Sequence, residues 1–191
     1  MLGIKLALGL MLFLQVAAPQ QFVVGSPAEQ VKDTVNRVLS IVREHPPSET
    51  EKLEAVISGR FDFEAMAKRS LGAHWRDLTP QQQKEFVTVF TKLLRQTYLD
   101  QIKAYNNQKV SITGERRDGS YATVESRIVP QSGDSIDVNY RLHLIGDQWK
   151  VYDVVIENVS LVNNYRAQFN RVLVNGSYEE LMRRMENREK R

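Results

Sequence analysis

The sequence predicts an α+β fold: N-terminal helices, a curved antiparallel sheet of about four strands and a C-terminal helix, with an apolar cavity between sheet and helices. Three observations predict it. Apolar residues recur at helical spacing up to Ile102, the period changes to two from Lys109, and helical spacing returns after Leu161. The connections inside the period-two stretch are short, and short turns join antiparallel neighbours, because a parallel crossover needs about a dozen residues or more.

At the N-terminus, Met1-Leu2-Gly3-Ile4-Lys5 carries one positive charge and precedes an apolar run from Leu6 to Leu14, then Gln15-Val16-Ala17-Ala18-Pro19. A permanent membrane helix needs about 20 apolar residues, so this run is too short to be one. Val16 and Ala18 supply the small residues that a signal peptidase accepts. The pattern predicts a signal peptide over 1–18, cleaved after Ala18, and an exported single domain over 19–191. Cleavage leaves 173 of 191 residues and lowers the formal charge from +3 to +2, since Lys5 is the only charged residue lost. A chain of that length can bury a sizeable single core without staples. It contains no Cys, which excludes disulfide frameworks, thiol catalysis and thiolate metal sites.

Ser26-Pro27-Ala28-Glu29 is a capping box with Pro at the first helical position, and Val31, Val35, Val38, Leu39 and Val42 follow on one face. This first helix must stop before His45-Pro46-Pro47. Ser48 with Glu51 offers a second capping box. Asp62 caps a short helix carrying Phe63, Met66, Ala67 and Leu71, closed by Gly72. Thr79-Pro80-Gln81-Gln82 then starts the strongest helix, whose stripe runs through Phe86, Val89, Phe90, Leu93, Leu94, Thr97, Tyr98 and Ile102 and which is expected to reach Tyr105.

Beyond Lys109, Val110 and Ile112 alternate with polar residues, Arg117-Asp118-Gly119-Ser120 turns the chain, and Ala122, Val124, Ser126 and Ile128 resume the alternation. After a turn at Pro130-Gln131-Ser132-Gly133-Asp134, Ile136, Val138, Tyr140, Leu142 and Leu144 face one way, while Asp137, Asn139, Arg141 and His143 face the other. That is a sheet with one wet face. Gly146-Asp147 turns into a strand from Trp149 to Ile156. The helical segment from Leu161 to Met185 carries Tyr165, Phe169, Val172 and Leu173 and breaks near Asn175-Gly176. Its tail, Arg183 to Arg191, is interrupted by Glu and reads as a solvated helix end, so no nucleic-acid partner is expected.

Catalytic constellations are scarce. His45, His74 and His143 are isolated and read as solvated or capping residues, with no metal-ligand spacing. No Gly-rich phosphate loop or nucleophile elbow is present. Asp153, flanked by apolar neighbours on a strand, is the one residue placed for acid/base work. A structural Asp bonded to an Arg or to backbone amides is the favoured reading of it. No metal, cofactor or catalytic residue is expected, and the residues alone lead to an exported α+β domain with a wide apolar interior.

The stretch Trp149 to Phe169, W-K-V-Y-D-V-V-I-E-N-V-S-L-V-N-N-Y-R-A-Q-F, closely resembles the corresponding segment of the MlaC family, also called the toluene-tolerance auxiliary transport family. Phe61-Asp62-Phe63-Glu64-Ala65-Met66-Ala67, Trp75, Leu78-Thr79-Pro80-Gln81-Gln82, Leu93-Leu94 and Thr97-Tyr98 resemble that family as well. One departure is Glu157-Asn158, where the family pattern leads one to expect a small residue or Gly. The resemblance implies a periplasmic phospholipid carrier without enzymatic activity, serving an ABC-type lipid transport system. Its partners would be the phospholipid, an inner-membrane complex with MCE domains and an outer-membrane lipoprotein-porin complex. A similar branch associated with hopanoid synthesis stays open.

Carrying a lipid makes a physical demand. Each methylene exposed to water costs about 0.8 kcal/mol, so two tails of ~30 methylenes cost on the order of 20 kcal/mol unshielded. The tails must be enclosed. The implied lining is Phe63 and Met66 from the short helix, then Phe86, Phe90, Leu93, Leu94, Tyr98 and Tyr105 from the long one. The sheet would add Val138, Tyr140, Leu142, Val151 and Val155, and the closing helix Tyr165, Arg166 and Phe169. Tyr or Arg side chains at the mouth would bond the phosphate.

Overall fold

The structure, a computed structural model, describes residues 25–44, 49–103, 108–130 and 133–189. Among the described residues, four helices precede the sheet: α1 (Pro27–Glu44), α2 (Glu49–Arg60), α3 (Phe63–Leu71) and α4 (Pro80–Lys103), with a 3₁₀ segment at Gly72–Asp77. Strands β1 (Lys109–Asp118), β2 (Tyr121–Val129), β3 (Ile136–Ile145), β4 (Gln148–Ile156) and the two-residue β5 (Val159–Ser160) form one antiparallel sheet in chain order. Two helices follow, α5 (Leu161–Asn175) and α6 (Tyr178–Glu189). The α+β architecture agrees with the sequence reading, including the break of the closing helix at Asn175-Gly176, with a short fifth strand added.

Local chemistry accounts for the boundaries. In the capping box of α1, the Glu29 amide donates to Ser26 Oγ at 3.0 Å and the Ser26 amide donates to Glu29 Oε2 at 2.9 Å. The Asp62 carboxylate accepts from the Ala65 amide at 2.8 Å at the start of α3. Gly72, with φ near +60°, closes α3; a Cβ there would meet the Arg166 guanidinium at 2.8 Å. The His45-Pro46-Pro47 stop, the Ser48 cap and Tyr105 lie outside the described residues.

Apolar residues form two cores. Helices α3 to α6 bury Met66, Phe86, Phe90, Tyr165, Phe169 and Leu181 together. The Phe86 and Phe90 rings stack at 5.7 Å, and Phe169 meets both edge-on, also at 5.7 Å. The second core lies where α1 crosses the dry face of the sheet and covers Val124, Leu142, Trp149 and Val151 with Val31.

Strand β4 does not alternate strictly. Arg141 pairs with Asp153 but Leu142 pairs with Val151, so β4 carries an extra residue at Tyr152. Trp149 and Val151 share the dry face with Leu144 and Leu142; beyond the bulge, Val154 and Ile156 pair with Tyr140 and Val138 and take over that face. Asp153 and Val155 are turned to the opposite face, where α5 begins.

The turn from β4 to β5 is made by Glu157-Asn158. Both residues have positive φ, 47° and 65°, a conformation that favours Gly. Asp137 holds the turn from β3: its carbonyl accepts from the Glu157 amide at 3.0 Å, and its own amide donates to the Glu157 carboxylate.

Candidate functional site

Between the two cores the helices and sheet do not close. The C-terminal half of α4 stands off the dry face beside α2 and the start of α3, leaving a cavity of about 270 Å³. Leu94, Tyr98, Leu99 and Ile102 wall it on the α4 side, and Ile128, Val138, Tyr140, Val154 and Ile156 on the sheet side. Phe61, Phe63 and Met66 close one end. Among the described residues, its polar lining besides tyrosines is Glu54, Arg95 and Gln101. Ile156 is 37% exposed, so the cavity reaches solvent past an apolar lip.

A second apolar cavity, of about 180 Å³, lies against α1 and is lined by Val31, Val35, Val38 and Leu39. It shares Ile57, Phe61, Ile102, Ile128 and Tyr140 with the first, so a few side chains form the partition. Arg60 stands at its far wall, donating to Thr34 Oγ1 at 3.0 Å and to Gln30 Oε1 at 2.7 Å. Burial lowers the Arg60 guanidinium below its ordinary value, against the opposing pull of Asp33. On the first cavity's wall, burial and then the neighbouring Tyr165 hydroxyl push the Tyr98 phenol up to about 12, so it stays neutral.

Two other concavities differ in character. A polar pocket of about 500 Å³ lies between α1, α2 and the β3–β4 turn, and a groove of about 370 Å³ between α4, α5 and α6 has Arg171 and Arg184 on its walls. Volume does not choose among the four. Apolar lining does, because enclosing hydrocarbon is what a dry cavity does well.

The predicted lining divides. Phe63, Met66, Leu94, Tyr98, Val138 and Tyr140 meet at the larger cavity, and Val151 lines the smaller. Phe86, Phe90, Leu93, Tyr165 and Phe169 pack into the helical core instead, because α4 spans about 36 Å and its stripe serves two neighbours. Leu142 is sealed under α1. Val155 faces away from the cavities because of the β4 bulge, and Arg166 is exposed beside Gly72. Val154, Ile156 and Phe61 take part without having been singled out, whereas the α1 stripe was visible as a helix face.

Asp153 is 2% exposed and fully engaged. Its Oδ2 accepts from Ser160 Oγ at 2.7 Å and from Arg141 Nη1 at 3.1 Å, and its Oδ1 accepts from the Val162 amide at 3.1 Å. The carboxylate ties β3, β4, β5 and α5 together and lines neither apolar cavity. His143, read from sequence as solvated or capping, sits half-buried with Nε2 2.9 Å from Asp62 Oδ2, between the rings of Tyr121 and Tyr152. Among the described residues no cluster of three or more His, Asp or Glu has a metal-binding arrangement.

Comparison with known proteins adds the family context. The family model for MlaC protein matches residues 28–187. The toluene tolerance protein Ttg2D of Pseudomonas putida is 26% identical over 171 residues, 87% of this chain and 79% of that one. The intermembrane phospholipid transport system binding protein MlaC of Haemophilus influenzae is 26% identical over 108 residues, 54% of this chain and 50% of its own. A phospholipid-binding protein from Ralstonia solanacearum, solved in complex with a phospholipid, superposes with a TM-score of 0.78 at 27% identity, covering 87% of this chain and 98% of its own.

Proposed function

The chain belongs to the MlaC family, and from that premise we propose that it is a phospholipid carrier of the periplasm. The observation that carries the reading is the pair of adjoining apolar cavities between the dry sheet face and helices α1, α2 and α4. An enclosed amphiphile with two tails needs dry volume for both and a polar edge for its head. The cavities supply the first, and Glu54, Arg95 and Gln101 supply the second. Each of the two volumes falls below the usual range of ligand pockets, about 300–1,000 Å³, so loading must part the helices from the sheet.

The cycle follows from the energetics. A tail leaving a membrane exchanges one dry environment for another, so the carrier lowers the barrier to crossing water without driving transport itself. Export by the 1–18 signal peptide would place the mature domain between two membranes. An inner-membrane MCE-domain complex and an outer-membrane lipoprotein-porin complex would be the donor and acceptor of lipid. The engagement of Asp153 by three donors, away from both apolar cavities, supports a binding protein over an acid/base enzyme. Native mass spectrometry of protein purified from the periplasm without added lipid tests the reading: about one phospholipid per chain is expected, and a ligand-free chain refutes it.

A further inference from the structure

Among the described residues the larger cavity is apolar except at Gln101 and where Arg95 reaches from α4 towards Glu54 of α2. Its Nη1 lies 3.4 Å from Glu54 Oε2, and its Nη2 donates to Ser58 Oγ at 2.9 Å. Its Nε is buried and has no acceptor among the described residues. A guanidinium has five N–H donors and no acceptor of its own, and a buried donor left unpaired forfeits the hydrogen bonds it had in water. Arg95 therefore brings spare donor capacity to a polar edge of a hydrocarbon-lined space.

The nature of the missing acceptor follows from the neighbours. An anionic phosphate at this Nε would stand beside the Glu54 carboxylate, and like charges in partly buried surroundings repel strongly. A neutral carbonyl oxygen leaves the Glu54 pair intact and supplies the acceptor. In a glycerophospholipid the neutral carbonyls are the acyl esters. They sit where the tails begin, which is where a tail entering the cavity past Arg95 would place them. We propose that Arg95 is a lipid-binding residue that donates to an acyl-ester carbonyl after a small turn of its guanidinium, so that the site reads the ester linkage rather than the head-group charge.

This assignment rests on the phospholipid reading above and makes a distinction that tail burial alone does not. Tails of equal length bury equal hydrocarbon whether joined by ester or by ether, and only the ester offers a carbonyl. Delipidated protein should be loaded from vesicles containing equal amounts of a diester phosphatidylglycerol and its dialkyl ether counterpart, with bound lipid read by native mass spectrometry. A hydrogen bond to a charged donor corresponds to about tenfold in affinity, so the native protein should favour the diester about tenfold. Arg95→Leu should lose that preference while still loading lipid. Glu54→Gln, which breaks the ion pair and leaves Arg95 in place, should keep it. Equal loading of both lipids by the native protein overturns the proposal, even if Arg95→Leu fails to fold, and so does a preference that survives in Arg95→Leu. Loading of neither lipid by the native protein removes the phospholipid reading itself.

Discussion

Replacing Val138 by Trp separates a lipid cavity from an ordinary core. Val138 is 6% exposed, sits near the start of β3 and faces the cavity of about 270 Å³ opposite α4. In a filled core the added bulk should cost roughly 1 to 3 kcal/mol through overpacking. Here the indole has space to occupy, so the ligand-free fold should keep its unfolding midpoint or gain slightly. The bound lipid bears the effect. A ring that displaces on the order of four methylenes, at about 0.8 kcal/mol each, removes about 3 kcal/mol of binding, or roughly a hundredfold. Lipid retained after gel filtration and the urea midpoint of delipidated protein should be measured side by side. A variant with a full lipid load, or one that unfolds without losing cooperativity but several kcal/mol earlier, refutes the assignment of this strand to the cavity.

Other outcomes follow from the same geometry. Asp153→Ala leaves Arg141, Ser160 and the Val162 amide without their shared acceptor and should destabilise by about 3 kcal/mol, while the folded fraction keeps its lipid; urea unfolding with lipid extraction checks this. Burial raises the Glu115 carboxyl, but the Ala28 amide, Arg117 and Ser26 outweigh it and hold the group below its usual value. Its contribution is therefore present above the unfolded pKa of about 4.3 and lost as pH falls through the lower folded value, so Glu115→Gln should flatten the acid limb of a stability–pH curve. The paired change Glu157→Asn and Asn158→Gly suits two positive-φ positions and should raise stability by about 1 kcal/mol; a fall would show that the Asp137 bonds to Glu157 matter more than the backbone strain.

Why part of the site was legible and part was not comes down to individual residues. Helix faces were readable because an amphipathic period needs only local sequence, as Val31, Val35 and Val38 on α1 show. The stripe from Phe86 to Ile102 was equally clear, yet nothing in its periodicity marks the point near Leu94 where the helix leaves the Phe169 core and begins to wall a cavity. Strict alternation assigned Val155 to the cavity because the extra residue at Tyr152 depends on pairing with β3 and carries no Gly or Pro to announce it. The pairing of His143 with Asp62 joins residues 81 apart in sequence, so only the folded chain brings them together. Glu157-Asn158 could be singled out in the sequence, but the positive φ of both residues is set by the turn between β4 and β5.

The location of the tails is the centre of this account, and lipid with bromine atoms in mid-chain reports it directly. A crystal of the protein loaded with a dibromostearoyl phospholipid gives the tail position from bromine anomalous scattering alone. The peaks are expected between β3 and the C-terminal half of α4, enclosed by Val138, Tyr140 and Tyr98. Peaks in the groove between α4, α5 and α6, walled by Arg171 and Arg184, would contradict the account.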